Sequence, residues 1–294
     1  MDRVEREDSS TMNRTNWRKL KDKYMYLILV GTALSILSIL TGIICFVLYS
    51  GWSALSWDFI FEPPRDNMTS GGIWSPLVGT FQLIVVSIIA VIPVGVLTGL
   101  YFSEYAGKGL FPKILRLAVR SLSGVPSVVF GLFGLSLFVI FLGFGSCLFS
   151  AGLTLACLTL PLVVTASEQA FRAVPKDYRD ASYALGATKL QTLVRVVFPS
   201  AASTIITGII LSIGRVAGET APIIFTGAAF YTSKTGGLFN EVMALPYHIY
   251  ILATAGTNIE QTRPIQYGAV AVLLALVLGI SSVGVWMRVR MKRR

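Results

Sequence analysis

The sequence predicts an all-α membrane protein of six transmembrane helices with both termini cytoplasmic, and three observations carry the prediction. Of 294 residues, 54% are hydrophobic and 14% charged, with a mean hydropathy of +0.69. A soluble domain of this size carries roughly 25% charged residues, so too little polar surface is available to face water all round. About six apolar runs have the ~20 residues that a helix needs to cross a bilayer. The Lys and Arg residues are also divided by side. Twenty-one of the twenty-five fall in alternate loops and the termini, and three (Arg65, Lys234, Arg263) fall in the intervening loops. This is the positive-inside bias, and it agrees with an even number of spans and both ends inside.

Composition excludes several function classes. The net charge of +10 raises nucleic acid as a partner, but the basic residues sit beside the spans, where lipid explains them. Cys45, Cys147 and Cys157 all lie in apolar runs and suggest neither a disulfide framework nor a metal site. A single histidine, His248, excludes a multi-histidine metal cluster. Gly107-Lys108-Gly109 lacks the spacing of a phosphate-binding loop. We expect no cofactor on this chain.

In order, residues 1–23 read as a polar cytoplasmic tail, disordered or surface-bound, ahead of a membrane domain over 24–290. Tyr24–Tyr49 is the first expected span, too long for the core of a signal peptide. Ser50–Ser75, rich in Trp, Pro and Gly, is an outside loop. Pro76–Leu100 is the second span, and Tyr101–Arg116, with Glu104 and three basic residues, is inside. Leu117–Leu142 is the third span, Gly143–Ser146 a tight outside turn, and Cys147–Ala166 the fourth span. Residues 168–199 form an inside loop. Ser200–Phe225 is the fifth span, Thr226–Arg263 is outside, and Pro264–Met287 is the sixth span before a basic tail. Pro93, Pro126 and Pro161 within spans fit either packing kinks, since neighbouring helices can re-satisfy the backbone, or gating.

The polar loop 168–199 reads as two short amphipathic helices joined at a glycine. Pro175 suits a first helical turn, and Asp177 and Asp180 complement the positive end of the helix dipole. Tyr178, Ala181, Ser182 and Leu185 share one weakly apolar face. Gly186 stands where a left-handed cap is needed. Thr188 and Gln191 form a capping-box pattern, and Leu190, Leu193, Val194 and Val197 repeat the helical spacing with Lys189, Gln191, Thr192 and Arg195 opposite. By pattern alone the hairpin is either an interfacial membrane element or a docking element for a soluble partner.

Asp180-Ala181-Ser182, three residues, Gly186, nine residues, then Val196-x-Phe198-Pro199 resembles the EAA loop of ABC-importer permeases. The spacing is ungapped, and the substitutions keep charge, smallness and apolarity. The resemblance implies a type I importer architecture in which Tyr178, Asp180, Ala181, Ser182, Leu185 and Gly186 couple the permease to an ATPase.

In the fifth span, Arg215 and Glu219 are four apart and can pair on one helix face. Each charge costs roughly 2.5–3.5 kcal/mol at the centre of a lone spanning helix, so the pair must face protein or water. Gly214 and Gly218 form a small-residue stripe that suits close helix approach. The pair reads either as a packing element or, with Thr220, as part of a translocation pathway for an anion. The stretch Gly214–Pro222 and the segment Val125–Gly134 resemble phosphate-importer permeases, the former the A-type subunit; Leu245–Tyr250 is similar to that subunit too. Tyr247, His248 and Tyr250 fit an interfacial aromatic belt or a contact with a delivery protein.

The resemblance implies a subunit of an ATP-driven phosphate importer in a bacterial or archaeal cytoplasmic membrane. It implies three partners: a second, related permease in a heterodimer, a dimeric ATP-binding subunit that holds ATP and magnesium, and an extracellular phosphate-binding protein. Another oxyanion such as sulfate or molybdate remains open as substrate. So does ion-coupled secondary transport, for which Glu219 is the clear intramembrane carboxylate.

Overall fold

The computed structural model describes residues 2–107, 109–231, 236–255 and 259–292, with backbone only for residues 2–16, 18–20, 67, 259–261, 291 and 292. Lys108 and Lys234 lie outside the described residues. The chain divides into two compact units, Met1–Ser50 and Gly51–Arg294. Helix α1 (Asp2–Gly51) makes up the first, so the tail continues the helix of the first span. Five helices are long and apolar enough to cross a membrane, or six if one bent pair counts as a span.

In the second unit, α2 (Trp57–Phe61) and a two-residue hairpin, β1 (Pro64–Arg65) with β2 (Ser70–Gly71), lead into α3 (Trp74–Leu100). A π-helical turn over Tyr101–Tyr105 ends α3. The principal packing partner of α3 is α6 (Leu148–Arg172). Their close contact depends on missing side chains: a Cβ at Gly95 would fall 2.6 Å from Val163 Cγ1, and one at Gly99 2.6 Å from Ser167 Cβ. Helix α9 (Phe198–Gly218) packs on both, and α12 (Ile259–Lys292) packs on α9.

The expected third span, Leu117–Leu142, is two helices meeting at 105°. Helix α4 (Leu110–Leu122) buries none of its residues, while α5 (Ser127–Gly134) continues into a π-helical run over Leu135–Phe141. The physical reason is local. Pro126 disfavours helical geometry at Val125 and donates no hydrogen bond, so the helix cannot run through. Leu110, Ile114 and Leu117 share the exposed apolar side of α4, and Lys113, Arg116 and Arg120 recur on the other. That pattern fits a helix lying in an interface rather than crossing it.

The fifth span ends earlier than expected, and its helix begins earlier too, at Lys189. Helix α9 stops at Gly218, Glu219 is extended at φ −77° and ψ 132°, and α10 (Ala221–Ile224) follows as a separate turn. Helix α10 packs on α5, where Gly131 leaves room for Pro222 and Phe225. Beyond it, α11 (Leu245–Thr254) is anchored to α3 by the Leu245 N–H donating to Thr80 Oγ1 at 2.8 Å.

Candidate functional site

The loop 168–199 folds as the sequence suggests, with corrections that matter. Helix α7 (Lys176–Ala184) begins after Pro175, which is its N-cap residue rather than part of its first turn. Gly186 adopts φ +80°, the left-handed geometry that a side chain disfavours. Thr188 and Gln191 close a capping box at the start of α8 (Lys189–Thr192), which runs through a π-helical turn over Leu193–Val197 into α9. The expected four-residue apolar face of the second helix is split. Leu193 and Val197 are buried in the same core cluster as Val91, Val163 and Phe171, whereas Leu190 and Val194 are exposed. The π-turn rotates successive side chains away from the 3.6-residue period, so one strip keys into the bundle and the other is left outside.

Thr192, placed on the polar side by the pattern, is fully buried, and its hydroxyl meets Ser182 Oγ at 2.9 Å. Ser182 therefore fastens α7 to α8. Tyr178, Asp180, Ala181, Leu185 and Gly186 are exposed, Leu185 to 88%. With Leu190 and Val194 they give the hairpin an outer surface that none of the described residues covers.

In the sequence Arg179 is simply one of the five basic residues of the loop 168–199, with Arg172, Lys176, Lys189 and Arg195. In the structure it is 15% exposed and donates to Glu104 Oε1 at 2.7 Å, to the Phe171 carbonyl at 2.9 Å and to the Val174 carbonyl at 2.6 Å. Glu104 lies on the π-turn that ends α3, and its own carbonyl accepts from Lys189 Nζ at 2.8 Å. The Lys189 ammonium lies 4.0 Å from the centre of the Tyr105 ring. One turn of α3 thus holds both arms of the hairpin. The available signal was Glu104 standing alone among Lys108, Lys113 and Arg116.

Arg215 and Glu219 pair as expected, Nε to Oε1 at 3.2 Å, with side chains 49% and 17% exposed. They do not share a helix face, because Glu219 lies beyond the helix end. Arg215 sits in the last turn of α9, where a cation complements the helix dipole. The pair is ~26 Å along α9 from the hairpin, so the two candidate sites are not brought together. Thr220 is half-buried at the start of α10. The small-residue stripe is only partly used: a Cβ at Gly214 would meet Ser281 Oγ at 3.4 Å, and one at Gly218 would meet nothing.

His248 leaves the expected aromatic belt for the core. It is 2% exposed, neither ring nitrogen has a partner among the described residues, and burial pushes its pKa from 6.5 down to about 4. Tyr247 and Tyr250 stack beside it, centroids 6.3 Å apart. Among the described residues no three His, Cys, Asp or Glu side chains converge as a metal site.

The described residues thus form a multi-pass membrane bundle carrying a helical hairpin that is keyed into its core, with the hairpin's outward surface left open. The chain belongs to the family described as binding-protein-dependent transport system inner membrane component, which matches residues 91–294. It is 33% identical to the probable ABC transporter permease protein YqgI of Bacillus subtilis over 92% of this chain and 96% of that one. It is 40% identical to the phosphate transport system permease protein PstA of Mycobacterium leprae over 76% and 73%. Its fold matches a chain of a bacterial alginate ABC transporter crystallised with its alginate-bound periplasmic protein. The TM-score there is 0.68 at 16% identity, covering 94% of this chain and 97% of that one.

Proposed function

We propose that the chain is the membrane subunit of an ATP-driven importer moving inorganic phosphate into the cytoplasm. The observation that carries the reading is the hairpin: an exposed surface of Tyr178, Asp180, Leu185, Leu190 and Val194 on a mount fixed by Glu104, Arg179 and Thr192. An uncovered yet rigidly supported surface suits a partner that pushes on it. The relatives named for phosphate transport support the substrate, and the distribution of basic residues supports a cytoplasmic hairpin. The sequence holds no G-x-x-x-x-G-K-[ST] loop, so ATP hydrolysis falls to a separate dimeric subunit, one copy of which docks on residues 178–186. A second permease completes the pore, and an extracellular phosphate-binding protein delivers the anion.

In this mechanism nucleotide binding closes the ATPase dimer and displaces the hairpin. The displacement passes through Leu193 and Val197 into α9 and through Arg179 and Glu104 into α3. ATP shifts the bundle between inward- and outward-facing states only by binding one of them better. The test is purification of the assembly from cells carrying either the intact chain or one lacking residues 177–188. The intact chain should retain an ATP-hydrolysing subunit and support phosphate uptake that sulfate and molybdate do not compete away. The deleted chain should insert but lose the subunit. Retention of the ATPase by the deleted chain would sink the docking assignment.

A further inference from the structure

A second polar site lies at the root of the hairpin. Arg116 and Arg120 on α4, Glu168, Gln169 and Arg172 on α6, and Phe102 on the π-turn line a cavity of about 200 Å³. Three guanidiniums here face one carboxylate. Arg116 Nε donates to Glu168 Oε1 at 2.9 Å, and Arg172 donates to the same oxygen at 2.7 Å. Arg116 also donates to the Phe102 carbonyl, and its guanidinium lies 5.2 Å from the centre of the Phe102 ring. The Arg120 side chain, one turn further along α4, has no hydrogen bond or ion pair among the described residues, so the cavity wall holds more positive charge than Glu168 neutralises.

We propose that this cavity binds a phosphate-type oxyanion, with Arg120 and Arg172 as its ligands and Arg116 as the fixed wall. Arginine suits the role because its planar fork matches two oxygens of a phosphate group at once. Arg116 is already oriented by Glu168 and by the Phe102 carbonyl and ring. Arg120 and the half-exposed Arg172 retain unused donors. Arg172 is the last residue of α6, directly ahead of Pro175 and α7, so the occupant sits where the hairpin joins the bundle. The cytoplasmic placement of the cavity rests on the function proposed above; the oxyanion chemistry does not.

The occupant is either free phosphate or the headgroup of an anionic lipid, and two arms of one experiment separate them. The full-length chain, purified with the subunits that accompany it, is placed in phosphatidylcholine nanodiscs without nucleotide or delivery protein. Equilibrium binding of radiolabelled inorganic phosphate is then measured. A saturable component should weaken roughly tenfold in Arg120→Gln, the loss expected for one charged hydrogen-bonding partner. It should strengthen in Glu168→Gln, which removes the competing carboxylate, and stay unchanged in Lys113→Gln, on α4 but outside the cavity. In discs containing phosphatidylglycerol, native mass spectrometry counts retained lipid; retention by the unaltered chain and loss in Arg120→Gln assigns the site to a headgroup. Phosphate binding and lipid retention both indifferent to Arg120→Gln and Glu168→Gln overturn the proposal. No transport is measured, so that result would leave the import reading standing. A permease for a different solute would still show the binding.

Discussion

Arg179 and Glu104 are 75 positions apart, yet they make the shortest connection between the hairpin and α3. Both side chains are nearly out of solvent, 15% and 10% exposed. Removing one partner of such a pair leaves a buried charge and costs about 3–5 kcal/mol, whereas removing both costs much less. Glu104→Gln and Arg179→Met should therefore each lower the midpoint of thermal unfolding in detergent, with the double variant well short of the sum. Additive losses would show that the pair does not act as a unit. His248 gives a second test. It is neutral in the folded chain and its pKa there lies near 4, against 6.5 unfolded. As pH falls through 6.5 the unfolded state gains a proton that the folded state refuses, so stability is full above pH 6.5 and is lost between 6.5 and 4. The loss is about 3 kcal/mol by pH 4. His248→Met should flatten that part of a melting-temperature profile; equal acid sensitivity in both chains would remove the assignment.

At the scale of elements, the hairpin depends on one dihedral angle. Gly186 at φ +80° turns the chain between α7 and α8, and a Cβ there meets no neighbouring atom. The cost of a side chain is then backbone strain alone, about 1–2 kcal/mol, too little to unfold the bundle but enough to change the angle of the hairpin. Gly186→Val should insert normally, while phosphate uptake per ATP hydrolysed falls severalfold in proteoliposomes. An unchanged ratio would show that the angle is not transmitted. The α3–α6 contact is the opposite case. At Gly99 a Cβ would fall 2.6 Å from Ser167 Cβ and 2.8 Å from the Glu168 N. Gly99→Val should separate the helices and destabilise the chain by 1–3 kcal/mol or more, read as lost yield and a lowered melting midpoint.

For the whole molecule, α9 joins the two candidate sites end to end, the hairpin at one terminus and Arg215–Glu219 at the other. We propose that Arg215, half-exposed at the end of α9, lies on the anion's pathway. Arg215→Gln should abolish phosphate uptake while leaving assembly and ATPase retention intact, and uptake at the unaltered rate would end that reading. Much of the site was legible in sequence because its cues are local. Apolar run length marked the spans, Thr188 and Gln191 the cap, Gly186 the turn, and the four-residue spacing the charge pair. The breakers Gly124 and Pro126 were legible within the expected third span, but not that they divide it into two helices at 105°; length cannot separate a helix lying along a membrane from one crossing it. The sequence alone thus determined an all-α membrane chain with a capped helical hairpin between its fourth and fifth spans. Tertiary structure alone decided which hairpin face is open, that Glu104 holds Arg179, that His248 is buried, and that three arginines line one cavity with Glu168. Periodicity states that a residue has a face, whereas the partner of that face comes from a segment tens of residues away, whose position is set by packing.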